Sequence, residues 1–139
     1  MAHEHVSIVL AEDNPADVRL LRNALEEHGI EGELTLFQDG EKAIRFFEAI
    51  DHGSAACPDL VVIDLNLPKK TGREVLECMR RSKKCGKIPA VILSSSDAAQ
   101  DRADCDRLGA SRYIRKPSRL DEFLRIGAVL RDLLGLPAE

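Results

Sequence analysis

Apolar positions along the chain follow two alternating rhythms. Short continuous runs at Val6 to Leu10, Leu60 to Ile63 and Ala90 to Leu93 read as strands buried on both faces. Glu33 to Phe37 and Arg112 to Ile114 read as two further strands. Between them the spacing turns helical. Val18, Leu21 and Leu25 fall at i, i+3, i+7, followed by stripes at Ala43, Ile44, Phe47, Ile50 and at Val75, Leu76, Met79. A polar helix is predicted from near Asp97 to Gly109, and a last one from a Ser118 cap to about Leu134. Asn14-Pro15 has the form of an N-cap followed by proline at the first helical position, and Gly29 ends that helix. Asp51 to Pro58, Leu65 to Gly72 and Lys83 to Lys87 are expected loops.

Five strands alternating with five helices predict an α/β fold, a parallel sheet with helices on both faces. The 139 residues fit one domain, expected over residues 6–134 with short tails at 1–5 and 135–139. The net charge of −4 argues against a nucleic-acid partner, which needs a basic surface. No segment reads as a signal peptide or membrane span, so a cytoplasmic location is expected. Cys57, Cys78, Cys85 and Cys105 form no C-x-x-C pair and are expected as reduced thiols, some packing as small hydrophobes. His3 and His5 are expected in a frayed polar tail.

Chemistry concentrates where strands end. The first strand ends in Glu12 and Asp13, the third in Asp64, the fourth in Ser94, and Lys116 lies just past the fifth. A parallel sheet places all of these on one edge, the edge where open α/β sheets bind ligands. In the flavodoxin-like order 2-1-3-4-5 the first and third strands are neighbours, which brings Glu12, Asp13 and Asp64 together. Three clustered carboxylates repel, and oxygen-only ligands suit a hard cation such as Mg²⁺. Lys116 supplies a second, mobile cation, and the Ser94 hydroxyl can bond a phosphoryl oxygen. Taken alone, Asp64 is an ordinary strand-ending acid, Glu12-Asp13 are ordinary helix-entry acids, and Ser95 and Ser96 are cap residues.

Glu12-Asp13, Asp64 in VVIDLNLP, Ser94, Tyr113 and Lys116-Pro117 resemble the signature of bacterial response-regulator receivers. The hydroxyl, aromatic and lysine follow Asp64 by 30, 49 and 52 residues, as in that family, and the resemblance spans about residues 5 to 134. It implies the order 2-1-3-4-5 and a role for each position. Asp64 would be the phosphoacceptor. Asp13 and Glu12 would be acidic-pocket ligands of Mg²⁺, Glu12 binding directly or through water. Asn66 would offer its backbone carbonyl to the metal. Ser94 and Tyr113 would be the switch pair, and Lys116 the phosphate-binding lysine, with a cis bond to Pro117. Glu12 stands where Asp is commoner, and Ser94 where Thr is commoner. Neither departure removes the chemistry.

The resemblance also implies partners. A sensor histidine kinase would supply the phosphoryl group, and a downstream protein of unknown identity would read it. The segments LAEDNPADVRLL and DLNLPKKTGREVL are similar to small receivers serving phytochrome-type kinases. The last helix carries Phe123, Ile126, Leu130 and Leu133, with Leu120, Leu124, Val129 and Leu136 beyond that stripe. Such a broad apolar face either covers the sheet edge or, as the resemblance implies, forms a homodimer. Such a chain is no enzyme beyond its own phosphorylation and dephosphorylation. A haloacid-dehalogenase-like phosphatase would want a second Asp where Asn66 stands, and a pseudo-receiver should have lost one of the key residues. No G-x-x-x-x-G-K-[ST] or G-x-G-x-x-G motif supports a nucleotide-binding enzyme.

Overall fold

In the computed structural model, which describes residues 5–53 and 55–137, five parallel strands form one sheet. His3, most of the expected N-terminal tail and the last two residues lie outside the described residues. The elements run β1 (Val6–Ala11), α1 (Pro15–Glu27), β2 (Gly32–Phe37), α2 (Gly40–His52), β3 (Leu60–Ile63), α3 (Gly72–Arg81), β4 (Ala90–Ser94), α4 (Ala99–Arg107), β5 (Arg112–Arg115), α5 (Leu120–Leu124) and α6 (Ile126–Leu133). The sheet order is β2-β1-β3-β4-β5, as the flavodoxin-like expectation requires.

Side chains of a strand alternate between faces, so β1, β3 and β4 each feed two cores. Val9, Ala11, Val61, Ile63, Ala90 and Ile92 pack with Phe47 of α2, Leu76 and Met79 of α3 and Cys105 of α4. Ile8, Leu10, Leu60, Val62, Val91 and Leu93 pack with Leu21 and Leu25 of α1, Phe123 of α5 and Ile126 and Leu130 of α6. Every residue of β3 and β4 is buried, which explains the apolar runs Leu60 to Ile63 and Ala90 to Leu93, with Ser94 a buried polar residue at the end of β4. Edge strands β2 and β5 are partly exposed and read more polar.

The helix starts are built from local bonds. Asn14 Oδ1 accepts from the Ala16 and Asp17 N–H groups, with Pro15 at the first helical position. Thr71 and Glu74 form a reciprocal capping box on α3. Gly72 lets α3 begin directly against the Asp64 backbone, since a Cβ there would meet the Asp64 carbonyl oxygen at 2.2 Å.

Three expectations need correction. The last helix is two, α5 and α6, joined at Arg125, and no side chain caps α5, so Ser118 does not serve as its cap. Cys57 and Cys85 form a disulfide instead of remaining reduced, while Cys78 and Cys105 are free. The reason is topological: the loops entering the neighbouring strands β3 and β4 meet at one sheet edge, although 28 residues separate the two cysteines. The Lys116–Pro117 bond is trans, as no described residue has a cis peptide bond. Trans is the ordinary state of an X–Pro bond, favoured by roughly 0.5–1 kcal/mol.

Candidate functional site

The carboxyl ends of β1, β3, β4 and β5 are drawn together by main-chain bonds that run past the strands. Asp64 N–H donates to the Ala11 carbonyl at 3.0 Å, Glu12 N–H to Phe37 at 2.9 Å, and Lys116 N–H to Ser94 at 2.7 Å. These bonds fix where the functional side chains start. Glu12, Asp64 and Ser94 are buried, Asp13 is exposed, and Lys116 is partly buried.

One carboxylate oxygen from each of Glu12, Asp13 and Asp64 lies within 4.8 Å of the others. Lys116 Nζ sits among carboxylates at 2.8 Å from Glu12 Oε1, 2.7 Å from Asp17 Oδ2 and 3.0 Å from Asp64 Oδ2. The Asn66 N–H donates to Asp64 Oδ1 at 3.2 Å, turning the loop after β3 over the carboxylate, while the Asn66 side chain is exposed. Glu12 Oε2 accepts from the Asn14 N–H at 3.2 Å.

Burial pushes the Glu12 carboxyl up to about 7; the Lys116 bond opposes the rise and neighbouring Asp64 adds to it. Burial works against the Lys116 ammonium, yet the bonds from Asp17, Glu12 and Asp64 prevail and hold its pKa above the ordinary lysine value. One ammonium therefore faces four acids on this edge. An all-oxygen donor set with excess negative charge, open to water on the Asp13 side, fits a hard divalent cation.

Ser94 is fully buried, and its Oγ accepts from the Ser96 N–H at 3.2 Å. Ser96 Oγ accepts from the Ala98 N–H at 3.3 Å, a turn ahead of the helix and not a cap: Ala98 holds the N-cap position of α4 and no side chain caps it, so the expected cap role of Ser96 is corrected. Tyr113 is half-buried, and its hydroxyl donates to the Ser96 carbonyl at 2.9 Å. The Arg102 guanidinium lies 4.6 Å from the Tyr113 ring centroid. Ser94 and Tyr113 thus meet through one residue, Ser96.

A family model described as the response regulator receiver domain matches residues 8–126. The chain belongs to that family. Response regulator Rcp1 from Synechocystis sp. is 33% identical over 120 residues, covering 86% of this chain and 82% of Rcp1. The crystal structure of the phosphorylated cyanobacterial phytochrome response regulator RcpA matches this receiver with a TM-score of 0.84 at 34% identity, covering 94% of each chain. The Mn(2+)-bound form of Rcp1 gives a TM-score of 0.82 at 30% identity, covering 96% of this chain and 99% of that one. The receiver is a two-component signalling domain rather than a conventional enzyme, and its partner class is the histidine kinase. Receivers bind a divalent metal in the acidic site that Glu12, Asp13 and Asp64 form here. No described helix is long and apolar enough to cross a membrane.

Sequence reasoning missed Asp17. The one available signal was its place in the first turn of α1, four residues after Asp13 and therefore on the same side of the helix entry. Nothing local reveals that it reaches a lysine 99 residues away.

Proposed function

We propose that Asp64 is the residue on which this receiver is phosphorylated and that the donor is a phytochrome-type histidine kinase. The observation that carries the reading is the Asp64 carboxylate, held by Lys116 at 3.0 Å beside the Glu12 and Asp13 carboxylates. The kinship with regulators named for phytochrome supports the choice of kinase. An Asp64 oxygen attacks the phosphorus of a phosphohistidine. The P–N bond breaks, a P–O bond forms, and the imidazole leaves with the electron pair. Mg²⁺ held by Glu12, Asp13, Asp64 and the Asn66 carbonyl would offset the charge on the transferred group.

Lys116 donates to a phosphoryl oxygen once the acyl phosphate exists, and Ser94 turns its hydroxyl toward the same group. That turn releases the Ser96 N–H from Ser94 Oγ. Ser96 also holds the Tyr113 hydroxyl, so Tyr113 repacks and the surface of α4, β5 and α5 changes. The altered surface is read by a downstream protein. A homodimer through α5 and its neighbours would bury Leu120, a large apolar side chain left 59% exposed. The setting for this exchange is the cytoplasm.

The test compares the parent chain with Asp64→Asn, each incubated with the phosphorylated kinase with and without Mg²⁺. The parent should gain a hydroxylamine-sensitive phosphate only with the metal, and the variant none. Equal labelling of the variant would sink the assignment.

A further inference from the structure

Lys116 has three N–H donors, and three carboxylates occupy them. Glu12 comes from the end of β1, Asp64 from the end of β3 and Asp17 from the first turn of α1. An ammonium on a four-carbon stem is ordinarily a swivelling point charge. With every donor engaged in a different direction, this one cannot rotate without breaking a charged bond. The Asp17 bond is the shortest of the three at 2.7 Å.

Asp17 is itself held. Its N–H donates to the Asn14 side chain at 3.4 Å, and its side chain is only 17% exposed. An acid in the first turn of a helix is favoured by the helix dipole. That accounts for the charge at this position, but not for its pairing with a lysine beyond β5.

We propose that Asp17 is a positioning residue that aims Lys116 at the Asp64 carboxylate. Together with Glu12 it takes two of the three donors. The third is thereby directed at Asp64 Oδ2, the place where a phosphoryl oxygen arrives. The lysine is set before the phosphoryl group comes, so the incoming charge meets a donor already in line. The inference rests on Asp64 being the acceptor, and it adds a residue on α1 to the machinery.

The experiment uses the full chain with Mg²⁺ and acetyl phosphate, following phosphate uptake by intact mass in the parent, Asp17→Asn and Asp17→Glu. The Lys116 ammonium is followed in parallel by ¹⁵N NMR. Asp17→Asn keeps the shape and removes the charge. It should slow uptake roughly tenfold to a hundredfold and broaden the Lys116 ammonium signal through faster exchange with water. Asp17→Glu should recover part of both. Uptake by Asp17→Asn at the parent rate, with an unchanged ammonium signal, overturns the proposal. A loss of fold without any local role would appear as broadening of all amide signals together and no recovery with Glu, and would equally overturn it. If the parent takes up no phosphate, or Asp64→Asn takes up as much, the acceptor assignment fails instead; the ammonium signal still reports whether Asp17 holds Lys116.

Discussion

Where the five strands begin, polar groups and thiols are paired off; where they end, like charges are held side by side. At the first edge the Cys57–Cys85 disulfide joins the loop entering β3 to the loop entering β4. Asp51 at the end of α2 accepts from Ser82 Oγ at 2.6 Å and from the N–H groups of Lys83 and Lys84. Arg80 at the end of α3 donates to the carbonyls of Gly86, Ile88 and Gly109, tying the entries of β4 and β5 together. At the other edge Glu12, Asp17 and Asp64 share Lys116 as their cation with Asp13 close by, and Glu12 is buried where it resists ionisation. One end is stitched and the other is poised. A switch needs both, because a rearrangement at the charged edge can only be directed if the opposite edge holds the strands in register.

The stitched edge should show the largest stability effect and no functional one. Closing a loop of 28 residues restricts the unfolded chain by about 3–4 kcal/mol in the chain-entropy picture. Reduction with a thiol reagent, or Cys57→Ser, should lower the melting temperature by roughly 10 °C for a domain of this size. Mg²⁺ affinity should stay the same, because the disulfide lies at the far edge from Asp64. A reduced chain that melts at the same temperature, or binds Mg²⁺ several-fold differently, would break the contrast between the two edges.

How much of this contrast was legible in the sequence depends on the range of the interaction. Strands, helices and the strand-end acids follow from local periodicity, and family spacing selects Ser94, Tyr113 and Lys116. Cys57 and Cys85 carry no pairing signal because their meeting is a property of the β3–β4 neighbourhood, not of their 28-residue spacing. Asp17 looks like any helix-entry acid until the fold brings Lys116 to it. The break at Arg125 was hidden for the opposite reason: apolar periodicity continues smoothly across it, from Phe123 to Ile126 and Leu130, all buried. The breadth of that stripe is explained largely by burial against α1 and the sheet.

The poised edge should respond to pH and to charge removal. A carboxyl held at about 7 against an ordinary 4.5 binds its proton more tightly in the folded chain. Metal-free stability therefore falls as pH rises from about 4.5 to 7, by roughly 3 kcal/mol once Glu12 is ionised in both states. Lys116, raised above the ordinary lysine value, contributes stability that is fully present below that value, so it does not vary over this window. Glu12→Gln should flatten the fall in stability and make the metal-free chain more stable at pH 8. It should also weaken Mg²⁺ binding. In the parent, Mg²⁺ competes with the proton on Glu12, so affinity should climb up to about pH 7 and level off above it. Titration calorimetry across roughly pH 5.5 to 8.5 checks the climb. A flat affinity, or a Glu12→Gln chain destabilised at pH 8, would show that Glu12 is not the strained member of the pocket.

The smallest effect belongs to Tyr113, at the boundary between the poised edge and the outer face of β5 and α4. Its hydroxyl makes one bond, to the Ser96 carbonyl at 2.9 Å, and its ring is only half-buried. Tyr113→Phe should cost about 0.5–1.5 kcal/mol, the net worth of one neutral hydrogen bond. The ring keeps its contact with Arg102, which depends on the aromatic face and not on the hydroxyl. The consequence for switching should exceed the consequence for stability. With the hydroxyl gone, the ring is no longer tied to Ser96, the residue whose N–H also bonds Ser94. Beryllofluoride with Mg²⁺, a mimic of the phosphoryl group, should then shift the resonances of the substituted ring less than it shifts those of Tyr113 in the parent. If both rings respond equally, the path from Ser94 to the outer face does not run through the Ser96 carbonyl, and β5 must receive the signal through its main chain, where Lys116 N–H meets the Ser94 carbonyl at 2.7 Å.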